Sequence, residues 1–550
     1  MCMTRLDFLR GSTAMVGSFA CPFALRAASW RKDLDAPATT ANYWCTWRTQ
    51  SRGGDPTQGF RAGRDAMCEA NLFGKGGWAG SYFPEARRDL YLVLDDGWDV
   101  PFGKSDIRNR SEFGSLELNE RRFPSFKGTP GKRLRQLNEA VKSLGWRGAG
   151  LWVACQSVGE LWNRLHAKND ILDDWKRKLE WSASAGIEYW KIDWGAHGNS
   201  AEFRALMYDL KEKYAPSVLL EHAECQTVVN GIIPTGDGEP LKGTFRAFGN
   251  EKSEKSRQYA KTVLAKSDYF RTYDIMTSLM GTATTLDRCA FYLACGESIA
   301  AKSILSAEDE LYLASGLGLA FGVMRGDWPH YRPKFEYRDE GHRLAEVIRA
   351  TRWSRIAPAF GCNCGIVTQA SDELKSESFL MMPESHWYKA GWNKVITQRA
   401  PERMSRGLPL PHVSVSQGEK PFVVASRNPN GAVAVAELPS VDANRRETIN
   451  PAKVDLDIHL DAGEPLGVFG RFEELSCLCE KGCRILAQDL AGGTVHDVTG
   501  LTRFEAGRVR LPGDLLAKIG KEADRDQSHP ATLVFVDRKV DVDGRASALI

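Results

Sequence analysis

Histidine is scarce in this chain: 10 among 550 residues, with no His-x-His and no His-Glu-x-x-His. That gives a zinc or dinuclear metallohydrolase no ligands in a usable pattern, and no metal is expected. No Gly-x-Gly-x-x-Gly follows a strand-like run, so a nucleotide cofactor is not expected either, and the cofactor expectation is none. Charge of one sign is also missing. Lys plus Arg number 73 against 70 Asp plus Glu, a balance that offers nothing to a nucleic acid or an acidic membrane. Beyond the N-terminus no window holds about 18 consecutive apolar residues, so no transmembrane segment is expected. Cysteine is present but does not pair out. Of 13 cysteines, 11 remain once residues 1–28 are set aside, and an odd number excludes a fully paired framework. Cys362 and Cys364, and the run CLCEKGC at 477–483, have neither spacing of a C-x-x-C zinc site. They read as buried thiols or a local disulfide.

What the chain does have is aromatic residues, with 16 Trp, 14 Tyr and 24 Phe. Such rings build cores and also present faces to the C–H surfaces of sugars. The first residues, MCMTRLDFLRG followed by GSTAMVGSFACPFAL, have the basic and then small-apolar character of an export signal over 1–28. Cys21 after Ala20 leaves a lipid anchor open. The expected location is therefore periplasmic or extracellular.

From about 41 to 355, short apolar runs alternate with amphipathic stretches. Strands are expected in NYWCTW (42–47), LYLVLDDGW (90–98), RGAGLWVAC (147–155), IEYWKIDWG (187–195), SVLLEHAE (217–224) and SDYFRTYDI (267–275). Helices are expected over 132–145, ended by Gly145, over roughly 170–185, and over 201–213. With two less clear units between 285 and 325 the count reaches eight. Strands that alternate with helices pair in parallel, and eight close a barrel. Two long connections, about 48–88 and 225–262, are expected to wall the strand ends. Helical periodicity then fades. FVVASRNPNGAVAVAEL contains a hairpin around NPNG, and ATLVFVDRKVDV ends the pattern as a strand. The fold class is an α/β (β/α)8 TIM barrel followed by a C-terminal antiparallel β-domain. The expected boundaries are 1–28 for the signal, 29–357 for the barrel and 358–550 for a β-sandwich.

In a parallel barrel every strand C-terminus opens on one face, where chemistry gathers. Asp95 and Asp96, Asp193, Glu221 or Glu224, and Asp274 each end an apolar run, so they converge there despite their distance in sequence. One such acid is ordinarily a helix cap or turn residue, but four strands ending this way make a site. Carboxylates with aromatic walls and a few cations suit glycoside hydrolysis, in which two acids flank an oxocarbenium-like transition state.

These residues carry a resemblance. LDDGW (94–98), the segment NERRFPSF through GLWV, YWKIDW (189–194) and FRTYDI (270–275) occur in the order of the motifs of the α-galactosidase clan, glycoside hydrolase families 27 and 36. The chain resembles that clan over about 41–355. The resemblance implies a retaining α-glycosidase acting on terminal galactose-type sugars of an oligosaccharide or glycoconjugate. It implies Asp193 as nucleophile and Asp274 as acid/base. Lys191, Arg271, Asp95 and Asp96 would bind sugar hydroxyls, the aspartate pair accepting from the 4-OH and 6-OH. Trp47 and Trp152 would wall the ring. The chain departs from the family at Gly195, where family 27 carries a cysteine, and at the Arg271-to-Asp274 spacing of three rather than four. A transferase on the same site and a catalytically silent sugar-binding barrel are the alternatives.

Overall fold

The computed structural model describes residues 34–53, 60–160, 168–223, 244–245, 253–272, 282–326, 343–380, 395–441, 447–523 and 526–537. Residues 1–28 and Asp274 lie outside them, as does Glu224.

Eight strands close a barrel: β1 Asn42–Cys45, β2 Leu90–Leu94, β3 Gly148–Val153, β4 Tyr189–Ile192, β5 Leu219–Ala223, β6 Tyr269–Arg271, β7 Ile304–Glu308 and β8 Ala320–Val323. Every neighbour is parallel, from Tyr43 beside Tyr91 round to Tyr43 beside Gly322, where β8 meets β1. The reason is visible in the alternation of side chains along each strand. Leu90, Leu92 and Leu94 of β2 face outward into the main core, while Tyr91 and Val93 face the barrel axis beside Tyr43, Cys45, Tyr189 and Tyr269. The axis is crowded enough to require glycine. A Cβ on Gly322 would lie 2.4 Å from the Tyr43 ring, and one on Gly150 would lie 2.8 Å from Val93.

The helices that return the chain are α1 Trp47–Gly53, α2 Phe60–Ala66, α3 Pro130–Ser143, α4 Lys168–Ala185, α5 Ala201–Tyr214, α6 Ser253–Leu264, α7 Thr282–Ser298, α8 Leu311–Leu317 and α9 Ala345–Ile356. Local signals set their ends. Pro130 opens α3, and Gly145 just beyond it takes φ +90°. The Ser200 hydroxyl caps α5 by accepting from the Phe203 amide at 3.1 Å.

Beyond α9 the chain is built of sheets. An eight-stranded and a five-stranded sheet enclose a second apolar core that includes Val423, Val435, Leu456, Val468 and Val534. The expected hairpin is present, with Phe422–Arg427 antiparallel to Val433–Leu438. The sheets are mainly antiparallel, though three neighbouring pairs run parallel. The hairpin turn also docks the sheets on the barrel. The Asn428 and Asn430 side-chain amides donate to the carbonyls of Pro358 and Ile356 at 2.6 and 2.7 Å. Cys477, Cys479 and Cys483 are buried thiols. Burial pushes Cys477 and Cys479 up to about 12. No helix among the described residues is long and apolar enough to cross a membrane.

Candidate active site

β2 delivers the first two acids. Asp95 continues the inward alternation of Tyr91 and Val93, and the chain then turns at Gly97, which has φ +108°. A Cβ there would sit 2.8 Å from the Cβ of Arg64 and 3.0 Å from its backbone. Glycine thus admits α2 against the turn and brings Arg64 onto Asp96. Both aspartates are 3% exposed.

Two adjacent like charges are held by a different set of donors each. Asp95 Oδ2 accepts from Lys191 Nζ at 2.9 Å and from the Cys45 thiol at 2.9 Å, and Oδ1 accepts from the Asp96 amide at 2.8 Å. Asp96 Oδ2 accepts from Arg64 Nη2 at 2.7 Å and from Trp194 Nε1 at 3.2 Å. Asp96 Oδ1 is buried with no hydrogen-bond partner among the described residues. Burial pushes the Asp96 carboxyl above its ordinary range, with Arg64 opposing.

β4 supplies Tyr189, Lys191 and Asp193 to the axis at an i, i+2 repeat, while Trp190 and Ile192 join the outer core. Asp193 Oδ2 accepts from Trp152 Nε1 at 2.9 Å and lies 3.4 Å from Arg271 Nη2. Its backbone is fixed as well, since Arg204 of α5 donates to the Asp193 carbonyl at 3.1 Å. Arg204 also meets His222 Nδ1 at 3.1 Å. Burial first, and then Arg204, hold that imidazole well below its usual range, so it stays neutral. The departure at Gly195 has a steric cause. A Cβ at that position would lie 2.6 Å from the Cys155 backbone. There the loops after β3 and β4 are tied by Cys155 N–H to the Trp194 carbonyl at 2.9 Å and His197 N–H to the Cys155 carbonyl at 3.0 Å. No larger residue fits at 195.

Arg271 ends β6 and points into the barrel, 1% exposed. Nη1 donates to Glu308 Oε1 at 3.0 Å, and Nε lies 3.8 Å from Glu221 Oε1. Lys191 Nζ is likewise 3.0 Å from Glu308 Oε1. Burial and Arg271 both work against the Lys191 charge, yet Asp95, Cys45 and Glu308 outweigh them and hold the ammonium well above its ordinary value. Trp152 is fully buried, its centroid 5.5 Å from that of Trp194. Trp47 is half-buried at the start of α1, and the Arg64 guanidinium lies 5.9 Å from its ring.

The structure therefore brings Asp95, Asp96, Lys191, Asp193, Arg271 and Trp152 into one contiguous network, with Trp47 reached through Arg64. Sequence reasoning missed Tyr43, Cys45, Arg64, Trp194, Arg204 and Glu308. Glu308 carried the same signal as the others, an acid directly after the apolar run ILSA. Arg64 and Arg204 sit on helices and carried none. Among the described residues no three His, Cys, Asp or Glu side chains are grouped to hold a metal ion. The arrangement can hold one carboxylate ionised against two cations and present acceptors to hydroxyl groups.

No protein-family model matches the chain, and no curated protein matches it in sequence. Solved structures do. The chain is similar to a family 27 β-L-arabinopyranosidase from Geobacillus stearothermophilus, with 11% identity over 94% of this chain and 99% of that one, and a TM-score of 0.39. It is similar to α-galactosidase I from Mortierella vinacea, with 11% identity over 91% and 97% and a TM-score of 0.35. An α-galactosidase from Saccharomyces cerevisiae gives 9% identity over 91% and 97%, with a TM-score of 0.34.

Proposed function

We propose that the chain is an exported retaining α-glycosidase that removes terminal galactose-type sugars by double displacement. The observation that carries this reading is the network at the strand ends, where Asp193 is hydrogen-bonded by Trp152 and faced by Arg271 while Asp95 and Asp96 lie beside it. Asp193 attacks the anomeric carbon. Its Oδ2 meets the indole N–H and the guanidinium, both of which favour the charged form of a carboxylate. Asp274 donates the proton to the leaving oxygen and then activates water, so the anomeric configuration is retained. Asp96 Oδ1, buried and without a partner among the described residues, is an acceptor for a sugar hydroxyl. Residues 1–28 direct export, 29–357 form the catalytic unit and 358–550 the β-domain.

Aryl glycosides of galactose, N-acetylgalactosamine and L-arabinopyranose, assayed side by side, test the activity and assign the terminal sugar. Proton NMR of the first product reads its anomeric configuration. Release of the starting anomer is expected; release of the opposite anomer, or no turnover of the panel, rejects the reading. Cell fractionation with N-terminal sequencing of the mature chain tests export.

A further inference from the structure

Beneath the acids lies a second layer of buried polar side chains. Glu308 on β7 is 3% exposed, and its Oε1 alone collects Tyr43 OH at 2.8 Å, Lys191 Nζ at 3.0 Å and Arg271 Nη1 at 3.0 Å. Glu221 on β5 faces the same arginine from the other side at 3.8 Å, and takes Tyr189 OH at 2.9 Å and Tyr43 OH at 3.2 Å. Tyr43 thus spans two glutamates, and one arginine lies between them.

These two glutamates are not equivalent. Glu308 makes close contact with both cations, whereas Glu221 makes its close contacts with two phenols and only a long one with Arg271. Buried carboxylates compete for the limited positive charge within reach, and the one nearest the cations stays ionised. The same cations also have contacts that point upward. Lys191 goes on to Asp95 at 2.9 Å and Arg271 to Asp193 at 3.4 Å.

Resting on the glycosidase reading above, we propose that Glu308 is a positioning residue for the nucleophile. It anchors Lys191 and Arg271 from below and takes up part of their charge, so that Asp193 stays ionised without being held too tightly to attack. Glu221 fills the same layer without this role. If Glu308 loses its charge, both cations turn more of their charge on the upper acids. Asp193 then ionises at lower pH and becomes a weaker nucleophile.

Paired isosteric variants test this. Glu308→Gln is expected to lower kcat at least about a hundredfold with KM changed a few-fold. It should also shift the acid limb of the kcat/KM profile down by about one pH unit. Glu221→Gln is expected to leave the acid limb unmoved. Equal shifts in the two variants, or an unmoved acid limb in Glu308→Gln, would mean mere packing and overturn the proposal. A titration independent of turnover separates this from failure of the enzymatic reading: the 13C carboxyl resonance of Asp193, assigned with Asp193→Asn, in the parent and both variants. A downward midpoint shift confined to Glu308→Gln supports positioning even if no aryl glycoside is cleaved. No shift refutes it even if cleavage is fast. If Glu308→Gln does not fold, Glu308→Asp carries the test. It keeps the charge but falls short of both cations, and is expected to lose kcat at unchanged KM; parent-like kcat would refute the proposal.

Discussion

Where α9 meets the sheets, Arg349 reaches across to Asp489, Nε to Oδ1 at 2.9 Å and Nη2 to Oδ2 at 3.0 Å. The amides of Ala491 and Ala523 fill the remaining sites on the two oxygens, at 2.8 and 2.9 Å. That carboxylate is as deeply buried as those at the barrel mouth, and it has four donors. At the mouth, Asp96 Oδ1 is buried with no partner among the described residues, and in the layer below it Glu308 Oε1 is shared by three donors. Folding alone favours the first arrangement, because an unpaired buried oxygen costs more than a paired one recovers. The saturated pair joins two units. On the proposed function, a sugar hydroxyl completes the open Asp96 oxygen.

This contrast breaks most visibly on Asp193. Asp193→Ala is expected to reduce turnover by several orders of magnitude while the chain stays folded, as steady-state kinetics alongside circular dichroism will show. Arg349→Ala should do the reverse. It strands a buried carboxylate, so unfolding in urea should reveal a loss of about 3–5 kcal/mol, with activity per folded molecule unchanged.

A third variant sharpens the comparison inside the β-region. Glu437, 3% exposed, has one close donor among the described residues, the Ala452 amide at 3.1 Å, and burial raises its carboxyl to about 9. The folded chain therefore retains a proton that the unfolded chain loses above about 4.5. Stability falls as pH rises from about 4.5 to about 9, and by pH 7 the loss is about 3 kcal/mol at about 1.4 kcal/mol per unit. Glu437→Gln should remove that slope and leave the protein more stable at pH 8 than the parent, with little difference at pH 4.5. Urea midpoints at the two pH values decide it. The smallest effect is expected from Trp194→Phe, which deletes one donor to Asp96 Oδ2. A loss of about 1 kcal/mol raises KM several-fold and leaves kcat near the parent value.

Much of the barrel was legible because its strands are short apolar runs that end in acids, and its period alternates with amphipathic helices. Lys191 and Asp193 could be placed together from spacing alone, since two residues on a strand share a face. The hairpin at NPNG was equally plain. The rest was hidden for physical reasons. Arg64 and Arg204 reach the site from helices, where a buried arginine looks like any surface arginine until packing is known. Tyr43 and Cys45 lie within a run that reads as core. Gly195 looked like a departure from a pattern, and only the Cys155 backbone beside it shows why a larger residue is excluded. The parallel pairs within the C-terminal sheets depend on contacts between distant strands that local pattern does not encode.

The central claim is that Asp193 forms the covalent bond. Incubation with a 2-deoxy-2-fluoro-α-galactosyl fluoride, followed by proteolysis and mass spectrometry, tests it directly. The account predicts one fluoroglycosyl group, carried by the peptide that contains Asp193 and lost in Asp193→Asn. A label on another carboxylate, or turnover that proceeds with inversion and no trapped ester, would contradict it.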